Sequence, residues 1–148
     1  MREVKRRAPA RWAAVVAVSL LAACASAGSG GSTRLPVARA RLGEDFRLAP
    51  KQIAVIQGEP LTVRFASVVS DSRCPAGVQC VRAGEARLEI SIQQAGLEPA
   101  VDTLATAPPL PGQASVGAYE VTLVGLAPEL RQGTPAPAYI ATLRVTRR

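Results

Sequence analysis

The 148-residue sequence predicts an all-β fold, a small antiparallel β-sandwich of about seven strands over residues 43–148. Three observations predict it. Apolar residues fall on alternate positions in several short runs, the period of a half-buried strand. Clusters of Gly, Pro and charged residues separate the runs. No stretch carries a convincing helical face, so nothing is available to cover a parallel sheet. About 105 residues suffice to bury a core, and they read as one domain. A sandwich of immunoglobulin-like or related type ranks ahead of a small closed barrel on length and spacing alone, because both produce the same alternation.

In chain order, residues 1–23 read as an export signal. Arg2, Lys5, Arg6, Arg7 and Arg11 make a basic start, and Ala13 to Ala23 an apolar core. About 11 apolar residues are too few to span a bilayer, which needs roughly 20. Arg6-Arg7 lacks the residues that follow a twin-arginine pair, which favours general secretion. The signal ends in Leu21-Ala22-Ala23-Cys24, which resembles the lipobox of bacterial lipoproteins. The resemblance implies cleavage before Cys24, a diacylglycerol on its thiol and an acylated amino group, which makes Cys24 the first mature residue and joins the chain to membrane lipid. An ordinary secretory peptide cut near Ala23 or Ala27 is the alternative. Ala25 is not the aspartate that tends to retain enteric lipoproteins at the inner membrane, so the expected location is the outer membrane, facing the periplasm.

Residues 24–42 are expected to be a flexible tether. Ala25 to Thr33 contain only Ala, Gly, Ser and Thr, which bury little area, and a flexible chain as long as residues 24–42 reaches roughly 23 Å. From Gly43 onward the strands begin. The clearest run is Leu61, Val63, Phe65, Ser67 and Val69, expected to face inward. Ala86, Leu88, Ile90 and Ile92 repeat the pattern, as do Tyr119, Val121 and Leu123, and Tyr139, Ala141, Leu143 and Val145. Weaker strands are expected at Asp45 to Leu48, Ile53 to Ile56 and Val101 to Thr106. Turns are expected at residues 57–60, 94–96, 108–112 and 133–137, each rich in Gly or Pro. Leu126 to Arg131 could form one helical turn.

Three cysteines divide as one plus two. With Cys24 lipidated, Cys74 and Cys80 remain as a pair outside the reducing cytoplasm, where a disulfide is expected. The loop it closes is about seven residues long, worth on the order of 2 kcal/mol.

That pair lies in the one locally unusual segment, Val69-Ser70-Asp71-Ser72-Arg73-Cys74-Pro75-Ala76-Gly77-Val78-Gln79-Cys80-Val81-Arg82-Ala83-Gly84-Glu85-Ala86. It resembles an uncharacterised group of small bacterial lipoproteins and secreted domains with the pattern V-x-D-S-R-C-P-x-x-V-x-C-x-W-x-G-x-A and, more loosely, a later Tyr-x-x-x-Leu-x-Val, here Tyr139, Leu143 and Val145. Arg82 stands where that group has tryptophan. The resemblance implies a β-sandwich with a disulfide-clamped loop and brings no activity. Read from the residues, Asp71 is expected to accept backbone N–H groups in an Asx-type turn while Arg73 packs across the loop onto Glu85. The competing reading is a rigid cationic loop, with Asp71, Arg73, Arg82 and Glu85 as the candidate partner-binding set.

Composition argues against several functions. Residues 1–23 carry five of the eighteen basic residues and one of the eleven acids, so the mature chain has thirteen and ten, a net of +3. Its aromatics are Phe46, Phe65, Tyr119 and Tyr139, too few for base-stacking platforms, and no nucleic acid is expected. With no histidine anywhere, imidazole-activated nucleophiles are excluded, and a transition-metal site is not expected. Glu85 and Glu89 share a strand face, but four strand residues separate them by roughly 13 Å, beyond the roughly 5–9.5 Å of paired-carboxylate hydrolases. The expectation is a lipid-anchored, non-enzymatic envelope domain without cofactor that engages an envelope protein or polymer. A carrier with a ligand cavity between the sheets and a protease inhibitor using the disulfide loop are the alternatives.

Overall fold

Alternating side chains become strands here because each run can bury one face only if a second sheet covers it. The computed structural model describes residues 36–109, 112–134 and 138–148, which fall in one compact unit. The signal, Cys24 and most of the expected tether lie outside the described residues.

Nine strands form among the described residues: β1 (Ala38–Ala40), β2 (Asp45–Leu48), β3 (Ile53–Ile56), β4 (Leu61–Asp71), β5 (Ala86–Gln94), β6 (Ala100–Ala105), β7 (Gln113–Val116), β8 (Tyr119–Ala127) and β9 (Ile140–Arg147). One sheet has the order β1-β3-β4-β5-β6 and the other β2-β9-β8-β7. The two sheets stay separate and each keeps two edges, so the fold is the expected sandwich and not a closed barrel. Consecutive strands mostly pair within one sheet, β3 to β6 and β7 to β9, whereas the immunoglobulin sheets are ABED and CFG, so no more than two consecutive strands share a sheet there. This connectivity makes it a related sandwich.

The core lies between the sheets. Leu48, Ile56, Val63, Phe65, Leu88, Ile90, Ile92, Leu104, Val121, Leu143 and Val145 are fully buried and form one cluster. Asp102 faces the same side as Ile90 in the register yet is exposed, a charge on the inner phase of an edge strand that discourages pairing with another chain.

Several expectations need correction. The tether does not extend to residue 42, because Ala38–Ala40 is β1 and pairs in parallel with β3. The sandwich is therefore not wholly antiparallel. The parallel pair arises because the chain turns at Gly43 (φ 77°), whose N–H donates to the Val145 carbonyl at 2.8 Å, and visits the other sheet as β2 before returning as β3. β7 also escaped the sequence reading; its inward residues are only Ala114 and Val116, a weak apolar contrast directly after the Pro-rich turn. Leu126 to Arg131 form no helical turn, since Leu126 and Ala127 complete β8 against Ala141 and Ile140.

The most consequential correction concerns β4. Its register against β5 shifts between Phe65 and Ser67 and again between Val68 and Ser70. A bulge places two residues opposite one and so reverses the phase of everything after it. Ser67 and Val69, expected inside, are exposed, and Val68 takes the inward position opposite Leu88. The second bulge restores the first phase and brings Asp71 to the inner side opposite Ala86. β8 has a similar shift between Leu123 and Gly125, which leaves Val124 outside and turns Leu126 toward the core.

Candidate functional site

The segment from Asp71 to Ala86 joins β4 to β5 at one end of the sandwich, beside the β8–β9 loop. Because the second bulge undoes the first, Asp71 keeps the inward phase of Phe65; its side chain is only 5% exposed, and a buried carboxylate needs partners. Arg73 supplies them. Its backbone N–H donates to Asp71 Oδ1 at 3.1 Å, the expected Asx-type turn. Its Nε donates to Oδ1 at 2.9 Å and its Nη2 to Oδ2 at 2.8 Å, a bidentate pair. The guanidinium then spans to the other sheet, where Nη1 donates to the Leu126 carbonyl at 2.7 Å and Nη2 to that of Pro128 at 2.9 Å. Arg73 thus spends most of its five N–H donors inside the protein.

The charges respond to this arrangement. Burial alone raises the Asp71 carboxyl, but the Arg73 hydrogen bonds and charge outweigh it and hold the group below its ordinary range. The same hydrogen bond raises Arg73. Burial, followed by the nearby Asp71 charge, raises Tyr139. The two parts of the resemblance, the Asp-Ser-Arg run and Tyr139, therefore meet in space although 66 residues of chain separate Arg73 from Tyr139.

The loop base is closed a second time by Ser72 and Glu85. The Ser72 N–H donates to the Glu85 carbonyl at 2.9 Å, its hydroxyl donates to the same oxygen at 3.0 Å, and the Glu85 N–H donates to that hydroxyl at 3.2 Å. Gly84 makes the approach possible, since a Cβ there would fall 1.6 Å from the Ser72 carbonyl oxygen. Further out, Cys74 and Cys80 form the expected disulfide, with Cα atoms 6.0 Å apart. The Ala76 N–H donates to the Leu130 carbonyl at 2.8 Å and ties the ring to the β8–β9 loop. Between the two loops lies a cleft of about 390 Å³ lined by Arg73, Cys74, Ala76, Leu126, Glu129 and Leu130.

The four candidate partner-binding residues therefore separate. Asp71 and Arg73 form one internal pair. Glu85 is not the partner of Arg73; it accepts from Arg87 Nε and Nη2, each at 2.7 Å, because both project from the outer side of the hairpin two residues apart. Arg82 is exposed and makes no ion pair among the described residues. Its neighbour Val81 is fully exposed, and Val78 across the disulfide ring is 37% exposed.

A second polar cluster was not expected. At the opposite end, Glu59 accepts from the Tyr119 hydroxyl and, at 2.7 Å, from Arg147 Nη2, while the Arg147 guanidinium sits 5.8 Å from the Tyr119 ring centroid. It latches the β3–β4 turn to the other sheet. Its members lie 60 and 88 positions apart, so no local pattern could have announced it.

No family model, curated protein or solved structure matches the chain.

Proposed function

We propose that the chain is an envelope lipoprotein, exported by residues 1–23 and anchored in a membrane through acylated Cys24, whose sandwich presents the disulfide-closed loop to another component of the envelope. The function is binding rather than catalysis. The outer membrane, on its periplasmic face, is the proposed location. The lipobox-like tetrapeptide and the absence of Asp after Cys24 support the anchor and the destination.

One observation supports the loop as the contact: Val81 and Arg82 stand exposed on a segment whose base is held by the Ser72–Glu85 hydrogen bonds, the disulfide and the Arg73 bridge. A loop ordered before contact loses little entropy on binding. With Arg73 committed internally, the contact falls on Val81 and Arg82.

The test is photo-crosslinking in cells with a photoreactive side chain in place of Val81, compared with one in place of Leu97 in the turn at the other end. A defined adduct at position 81, weakened by Arg82→Ala, is expected; equal labelling at both positions, or none, would overturn the reading. An adduct with an envelope protease would favour an inhibitor, which the same exposure of the loop suits.

A further inference from the structure

We infer that the Val81–Arg82 tip docks on the anionic lipid surface of the membrane that holds the acyl anchor. The inference rests on the anchoring proposed above and names the envelope component that the loop meets. Its basis is the chemistry of the tip, the charge around it and the length of chain leading to it.

The tip combines an apolar side chain with a cation. Val81 is fully exposed, Val78 is partly so, and Arg82 follows directly. An interfacial contact needs this pairing: small apolar side chains enter the headgroup region while the guanidinium stays at phosphate level. A solvent-facing structural loop has no need of a valine held wholly outside. The rigid base keeps it there, because neither the hydrogen bonds at Ser72 nor the disulfide lets it fold back on the sandwich.

The local charge has the right sign. Asp71 neutralises Arg73, and Glu85 neutralises Arg87. What remains around the loop is Arg82 with Arg131 and Glu129 on the adjoining β8–β9 loop, all exposed, an excess of one positive charge. At the opposite end Glu59 is matched by Arg147 and Glu44 by Arg41, and the exposed Arg148 is offset in number by the exposed Glu98, leaving no positive excess. An anionic surface therefore favours the loop end.

Chain length brings the two together. Twelve residues run from Cys24 to Leu35 before the described chain begins at Pro36, and fully extended they span no more than about 43 Å. The eleven residues of β4, the longest strand, extend about 36 Å, so the loop end lies within reach of the surface. β1 runs parallel to β3, away from the loop end, so Pro36 and Val37 sit on its loop-facing side. Two valines and an arginine would hold a free protein only weakly. A domain confined so close to a surface experiences an effective concentration in roughly the millimolar range, where a weak contact is populated.

The mature chain lacks tryptophan, because Trp12 belongs to the signal, so a single tryptophan reports on its own surroundings. The experiment reconstitutes the lipidated protein with Val81→Trp or Leu97→Trp into vesicles of phosphatidylcholine, with or without phosphatidylglycerol, whose acyl chains are brominated. Bromine quenching of Val81→Trp but not of Leu97→Trp, stronger with phosphatidylglycerol, is expected. Adding Arg82→Gln should lower the ratio of docked to undocked protein about fivefold, equivalent to about 1 kcal/mol for one basic residue at an anionic surface. Unquenched Val81→Trp, or equal quenching of both reporters, would overturn the inference, as would an emission change that appears only when envelope proteins are added. The mass of the Cys24 peptide is read on the same sample. If it carries no lipid, the anchor reading fails separately; coupling the free Cys24 thiol to a maleimide lipid then supplies the tether, and the same quenching comparison decides the docking.

Discussion

Asp71 and Arg73, two residues apart, form a bidentate ion pair in which the carboxylate is 5% and the guanidinium 17% exposed, and the same guanidinium holds two carbonyls of the opposite sheet. This pair converts a loop segment into a strut between the sheets. Of the two arginines expected on the loop, only Arg82 is left without an ion pair among the described residues.

Removing Arg73 leaves a nearly buried carboxylate and two carbonyls without their donor. Arg73→Ala should cost about 1.5–3 kcal/mol in unfolding free energy. Arg73→Lys should recover less than half of that, because an ammonium cannot span both carboxylate oxygens and two carbonyls at once. Urea denaturation of the three proteins measures both. A loss under about 0.5 kcal/mol would mean that the strut contributes no more than an ordinary surface contact.

The pair also predicts an acid limit. The folded pKa of Asp71 lies below its ordinary value, so the unfolded chain takes up this proton first as pH falls. Its contribution is complete above about pH 5 and is lost as pH drops through the folded value, below about 4. Glu59, lowered by its hydrogen bonds from Tyr119 and Arg147, acts with the same sign. Denaturation midpoints should fall between pH 6 and pH 3, and Asp71→Asn should flatten part of that slope while leaving the part that belongs to Glu59.

Gly84 is required by space and Gly77 by conformation. Gly84→Ala puts a methyl group 1.6 Å from the Ser72 carbonyl and should break the Ser72–Glu85 closure. Gly77 has a positive φ of 79° but open space around it, so Gly77→Ala should cost only about 1–2 kcal/mol. Hydrogen exchange separates the two: the Ser72 and Glu85 amides should lose protection in Gly84→Ala and keep it in Gly77→Ala.

Val68 and Val69 test the bulges. Simple alternation from Phe65 buries Val69, whereas the structure packs Val68 against the core and leaves Val69 59% exposed. Val69→Ser should therefore change stability by no more than about 0.5 kcal/mol, and Val68→Ser should cost about 1–2 kcal/mol. The reverse ranking would show that β4 runs without bulges.

The sequence by itself determined an all-β fold with one buried face per strand, because period-two alternation is a local property; that the strands close as two separate sheets rather than a barrel was decided by the tertiary structure. It also determined that Cys74 and Cys80 could join and that Asp71 would cap a turn at Arg73, since these partners are only six and two residues apart. Tertiary structure decided the rest. β1, at three residues, is too short to display a period and exists only because β3 offers it an edge, and β7 turns inward only Ala114 and Val116, too little apolar contrast to stand out. The bulges in β4 are set by pairing with β5, so the phase of Ser67, Val68 and Val69 was not contained in their own run. Arg73 found its second set of partners 53 and 55 residues away, on carbonyls that any sequence would supply, and left the exposed tip to Val81 and Arg82. Contacts to backbone atoms across a sandwich depend on where the strands end, and that position belongs to the fold rather than to any local stretch of residues.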